Sequence, residues 1–97
     1  MTKNYSYIVN MLRIFENSLD NEHEVGIKIP DLSKPYPLAV TRGGNDNFIL
    51  FELVANNGDT FAVIQNYSQL NFSIWALPKQ IHGSCPRRIG FLSDNDQ

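Results

Sequence analysis

The sequence predicts an α+β domain: one N-terminal helix packed across a mostly antiparallel sheet of five or six strands. Three observations predict it. Apolar residues recur at helical spacing in the first twenty positions. The rest of the chain is a succession of short β-rich runs. Two of those runs are joined by Asn56-Asn57-Gly58-Asp59, the chemistry of a tight hairpin turn.

The helix comes first. Tyr5, Ile8, Leu12, Phe15 and Leu19 follow a 3-4-3-4 spacing and share one face. Val9 and Met11 widen that stripe, and Arg13, Glu16 and Asn17 fall on the wet side. The helix is expected to end near Asp20-Asn21, where residues that favour caps and turns gather. Val25, Ile27 and Ile29 then alternate with smaller or polar positions, the period of a half-buried strand.

Pro30, Pro35 and Pro37 punctuate an extended loop, and Leu38 to Thr41 reads as a short strand. Gly43-Gly44-Asn45-Asp46 is a turn. The nearly continuous apolar run from Asn47 to Ala55 reads as a central strand covered on both faces, with Thr60 to Gln65 as its hairpin partner. Leu70 to Leu77 reads as a strand by its alternation, or as a short helical turn at Gln69-Leu70 capped by Ser68. Pro78 closes that element and Lys79 to Pro86 is a polar loop. Arg87 to Leu92 reads as the last strand and residues 93–97 as a frayed tail. The whole chain, 1–97, reads as one domain.

A domain of 97 residues buries only about two-thirds of its unfolded surface. A deep cleft walled by one copy is therefore not expected, and homo-oligomerisation would supply the missing depth. The single cysteine, Cys85, allows no intrachain disulfide, which points to a reducing, cytoplasmic setting. No apolar run approaches the roughly 20 residues needed to span a bilayer, so no membrane partner is expected. Nor does Met1-Thr2-Lys3-Asn4-Tyr5 have the plan of a signal peptide.

The net charge of −2 hides an asymmetry: residues 60–93 carry Lys79, Arg87 and Arg88 and no acid. Long-range attraction of a small anion follows such local charge. Three cations are too few to hold duplex nucleic acid.

Several chemistries lack their parts. Gly43-Gly44 has no following Lys-Ser/Thr, so no phosphate loop is formed. No serine lies in a nucleophile-elbow pattern. Cys85 has His82 nearby in sequence but no third group to orient it. His23 lies among acids, yet in a strand it would face away from Glu22 and Glu24, which argues against one metal centre. Glu52, within an apolar run, is the one acid placed to be half-buried, or else it faces solvent on an edge. The chain therefore reads as a non-enzymatic binding protein with no cofactor.

The candidate site lies late in the chain. Tyr67, Gln69 and Asn71 bring a ring, an amide that reads polar edges, and another beside it. Trp75 is either core or an exposed stacking platform or interface anchor. Lys79, Arg87 and Arg88 supply the charge, an arginine being suited to bidentate phosphate contact. In a strand, Arg87 and Arg88 would split between the two faces. An arginine, flat rings and amides together are parts that grip a nucleotide.

Four blocks carry a resemblance: Asp20-Asn21-Glu22-His23-Glu24-Val25-Gly26, Ile64 to Phe72, Ala76-Leu77-Pro78-Lys79, and Pro86-Arg87-Arg88-Ile89-Gly90-Phe91. Their order and content resemble a small bacterial and phage family of unknown function, with D-x-E-H-E-V-G, I-Q-H-x-S-Q-L-N-F, V-P-K and R-R-I-G-F segments. Asn66 stands where that pattern has histidine, and the proline-rich loop at 30–37 also departs from it. The resemblance implies a compact α+β domain and brings no activity with it. By analogy with small phage proteins that lack catalytic motifs, it implies an anti-defence role in a host cytoplasm. One form is a sponge that sequesters a cyclic nucleotide immune signal. The alternative is a protein-interaction module or direct inhibitor of a host defence protein.

Overall fold

Helix α1 (Lys3–Asn17) forms where the 3-4 spacing begins, and it buries Tyr5, Ile8, Val9 and Leu12. The computed structural model describes residues 3–80 and 83–92; the expected tail at 93–97 and His82 lie outside them. The helix stops at Asn17, earlier than expected. There the Ser18 N–H and hydroxyl both bond to the Phe15 carbonyl, and the Leu19 N–H bonds to that of Glu16. Leu19 reaches the core from the connecting turn.

Six strands follow: β1 (His23–Lys28), β2 (Tyr36–Gly43), β3 (Phe48–Val54), β4 (Thr60–Asn66), β5 (Ser73–Pro78) and β6 (Gly90–Leu92). The order across the sheet is β4-β3-β2-β1-β5, every neighbour antiparallel. Strand β6 lies parallel to β2, opposite Val40, Thr41 and Arg42. The expected α+β architecture, one helix on an antiparallel sheet of five to six strands, is the one observed.

An irregularity at Ala39 explains how β2 serves two partners on one edge. The β2–β3 register shifts between Leu38 and Val40, and a bulge of this kind bends its strand. Before it, Tyr36 and Pro37 pair with β1; after it, β6 takes over.

The β3–β4 hairpin closes through the Gly58 N–H to the Ala55 carbonyl, with Gly58 at φ 92°. A type I turn followed by a left-handed glycine is a common three-residue hairpin loop. Between β4 and β5 the chain must cross from one edge of the sheet to the other. A single 3-10 turn (Tyr67–Gln69) starts the crossing, capped by the Asn66 side chain and not by Ser68. Phe72 ends it against Phe51, ring centroids 5.0 Å apart, on the buried face.

That face carries Val25, Ile27, Leu38, Ile49, Phe51 and Leu53 under the helix and the crossing segment. The expectation that β3 is covered on both faces is not met. Ile49, Phe51 and Leu53 are buried, but Phe48, Leu50 and Glu52 alternate onto an outer face that nothing covers among the described residues. The last strand is also shorter than expected. The N–H groups of Arg87 and Ile89 go to the carboxylates of Glu24 and Glu16, so ladder pairing begins only at Gly90. Glu16, placed by its helical position on the wet side, is thus half-buried and holds the C-terminal segment.

Candidate binding surfaces

The cations of the late sequence gather where β1 begins and β5 ends. Lys79 and Arg88 line a pocket of about 370 Å³ together with Asn21, Ser84 and Cys85. Each already has protein partners. Lys79 Nζ donates to Glu22 Oε2 at 3.3 Å and to the Ser84 carbonyl at 2.9 Å. Arg88 donates to the carbonyls of His23 and Asp20 at 2.9 and 3.2 Å. Arg87 binds Glu24 at 3.1 Å and Gln80 at 3.2 Å. Neither arginine lies in a strand, so the expected split between strand faces does not arise.

Acids from the turn after the helix therefore meet the cations of the C-terminal half. The Asp20 carboxylate accepts from the Glu22 N–H and lies 2.7 Å from His23 Nδ1. The bond to His23, then the Glu22 amide, hold its pKa below the ordinary carboxylate value, with a smaller contribution from the Arg88 charge. The local cationic excess read from residues 60–93 is offset in three dimensions by Asp20, Glu22 and Glu24. Sequence distance concealed this, since these acids lie more than fifty residues from their partners.

The rings and amides are elsewhere. Trp75 is 45% exposed, on the opposite side of β5 from Ile74, with its Nε1 donating to Ser73 Oγ at 2.8 Å. Tyr67 packs against the core. Gln69 is exposed in the 3-10 turn. Asn71 is held by its backbone, which exchanges two bonds with the Gln65 side chain, both 3.2 Å. Asn71 stands just before β5 and Lys79 just after it, so a strand of about 17 Å separates them. The seven expected residues do not converge on one patch. Lys79 and Arg88 share a pocket, Arg87 adjoins it, and the other four are spread along β5 and the crossing segment.

Exposed apolar side chains form the larger feature. Helix α1 carries a second stripe at Tyr7, Met11 and Ile14, with Tyr7 68% and Ile14 71% exposed. The spacing i, i+4, i+7 keeps these on one line. Beside that line runs a groove of about 400 Å³ between Tyr7, Ile8 and Met11 on one wall and Leu70, Phe72 and Ile74 on the other. A second apolar patch lies on the uncovered face, where Phe48, Leu50 and Ile64 meet. The first shows in the sequence as the helical spacing of Tyr7, Met11 and Ile14, although Met11 also fits the buried stripe; the second does not, because the apolar run at 47–55 reads as covered on both faces.

Comparison with protein-family models, curated proteins and solved structures finds no match to this chain. Among the described residues no three His, Cys, Asp or Glu side chains are grouped to hold a metal ion. No helix there is long and apolar enough to cross a membrane.

Proposed function

We propose that this protein is a protein-interaction module whose receptor surface is the outer stripe of α1 with the groove beside it. The observation that carries this reading is the exposure of Tyr7, Met11 and Ile14 in one line. Large apolar side chains scattered singly need no explanation, but a contiguous exposed set marks a surface meant to be covered. The line spans about two turns, and helices recognise such surfaces through anchors at i, i+4 and i+7. Its walls carry no charged group, so the fitting partner is the apolar face of an amphipathic helix from another protein. Met11 suits the role because its unbranched thioether adapts to different shapes.

Capture of a small anionic ligand, such as a cyclic nucleotide, has one supporting observation: Lys79 and Arg88 line the same open pocket. A phosphate there would have to share them with Glu22 and with backbone carbonyls. The helix surface has no such competitor, which places the interaction reading first.

The test is site-specific photo-crosslinking in the source cell, with the probe at Tyr7 and a control at Asn57 in the distant hairpin turn. A discrete partner joined at position 7, absent at 57 and lost in Met11→Glu, is the expected result. Equal labelling at both positions, or labelling that survives Met11→Glu, overturns the reading. A thermal-shift screen with nucleotides runs alongside, since a ligand that binds the native state raises its apparent stability. Stabilisation that Lys79→Ala and Arg88→Ala both abolish would restore the anion reading.

A further inference from the structure

Strand β4 forms one outer edge of the sheet, and it lacks the devices that normally keep such an edge single. Its seven residues, Thr60-Phe61-Ala62-Val63-Ile64-Gln65-Asn66, include no charge and no proline. Its pairing with β3 runs unbroken from Val54↔Thr60 to Phe48↔Asn66, so no bulge turns it away. Edge strands are ordinarily protected by lysine, proline, bulges or brevity. The opposite edge, β5, is shorter and closes on Pro78.

The hydrogen-bond phase shows which groups are offered. The Tyr67 N–H bonds to the Asn47 carbonyl and the Ala55 N–H to the Asp59 carbonyl. Bonded pairs alternate along an antiparallel ladder, so Phe61, Val63 and Gln65 bond inward to β3. The backbone groups of Ala62 and Ile64 therefore point outward, away from the sheet. Their side chains lie on the uncovered face, where Ile64 is 62% exposed beside Phe48 and Leu50.

We propose that β4 pairs antiparallel with β4 of a second copy about a two-fold axis. A two-fold contact pairs residue i with j and j with i, so an ionisable group anywhere in this short strand would lie on the same paired edge as its image, opposite or diagonal to it, and oppose pairing. This strand carries none, and its outward groups present donors and acceptors in equal number. The Phe48–Leu50–Ile64 patch borders the same edge, so pairing would continue it across the axis into one larger apolar surface.

Size sets the strength. A stable interface takes about 800 Å² from each partner. An edge about 24 Å long on a sheet about 10 Å thick offers a fraction of that. The dimer is therefore reversible and dissociates on dilution. It does not depend on the helix groove, which lies on the other side of the sheet.

Sedimentation velocity over a concentration series tests this on the full chain. The native protein should move from monomer to dimer as concentration rises. Ala62→Pro deletes one outward N–H and leaves the β3 ladder intact; Ile64→Lys puts a lysine from each copy on the same short paired edge. Both should remain monomeric at every concentration, with native circular dichroism, and Ile64→Lys carries the test by itself if the proline variant does not fold. Tyr7→Glu should dimerise normally. A native protein that stays monomeric up to millimolar concentration overturns the proposal. So does a dimer that survives Ile64→Lys, or one that Tyr7→Glu abolishes.

Discussion

Glu24 and Arg87, 63 residues apart in sequence, are joined twice: the Arg87 N–H donates to Glu24 Oε1 at 2.8 Å and its guanidinium to Oε2 at 3.1 Å. Glu24 is only 2% exposed. Removing one partner of a buried pair leaves the other charged and unsatisfied, which is costlier than the pair is worth. Glu24→Ala should destabilise the fold by about 3 kcal/mol, read as a lower urea midpoint. Arg87→Ala leaves the buried Glu24 carboxylate charged with only the backbone N–H of residue 87 to satisfy it, so it should cost at least as much. A clearly smaller loss for Arg87→Ala would mean that the Arg87 N–H, not the guanidinium, holds the buried charge.

The same strand explains a glycine. A methyl group on Gly26 would lie 2.2 Å from Leu77 Cδ1 and 2.7 Å from its Cγ. Leu77 covers Gly26 from the neighbouring strand, so Gly26→Ala must push it aside. Overpacking of this kind costs about 1–3 kcal/mol. Leu77→Ala makes room, so the double variant should lose at least about 1 kcal/mol less than the sum of the two single losses. Additive losses in equilibrium unfolding would show that the backbone near Tyr36, not Leu77, sets the limit.

These two sites also show what a sequence can and cannot convey. The stripe of Tyr5, Ile8 and Leu12, the alternation of Val25 and Ile27, and the Asn57-Gly58 turn are local patterns, and local pattern determines local structure. Glu24 looks like a solvated acid at the start of a strand, because the groups that justify its burial come from residue 87. Glu16 is misread for the same reason, its partner being the Ile89 N–H. The placement of Trp75 depended on which edge of the sheet β5 would join, which no spacing encodes. Lys79 and Arg88 were found as charges, but their acidic neighbours at Glu22 and Asp20 were visible only once the ends of β1 and β5 met.

Tyr5 links three elements through one hydroxyl. Its O–H reaches the Thr41 carbonyl at 3.0 Å and also the Leu92 carbonyl, tying α1 to β2 and β6. Tyr5→Phe keeps the ring in the core and removes only the oxygen. A neutral hydrogen bond contributes about 1 kcal/mol net, and that is the expected loss of global stability. The larger effect should be local. Strand β6 has three residues and pairs with β2 alone, so its amides should speed up in the variant by more than the roughly fivefold that the global loss imposes on those of β3. Unchanged exchange in β6 would mean that Ile89 and Phe91 anchor the strand by packing alone.

Asp20 supplies the pH dependence. Bonds from His23 and the Glu22 amide depress its native pKa below the value near 4 that it has when unfolded. Between those two values the unfolded chain holds more protons than the native one, so stability rises with pH across that interval. The contribution is fully present above about pH 4 and disappears as pH falls through the native pKa. Asp20→Asn cannot titrate, so its stability should lie below that of the native protein above about pH 5 and converge with it under stronger acid. Because Asp20 is solvent-exposed, the gap should be small and should shrink further in salt. Urea melts from pH 2 to 7 measure it. A constant gap across that range would mean that Asp20 acts through its turn geometry and not through its charge.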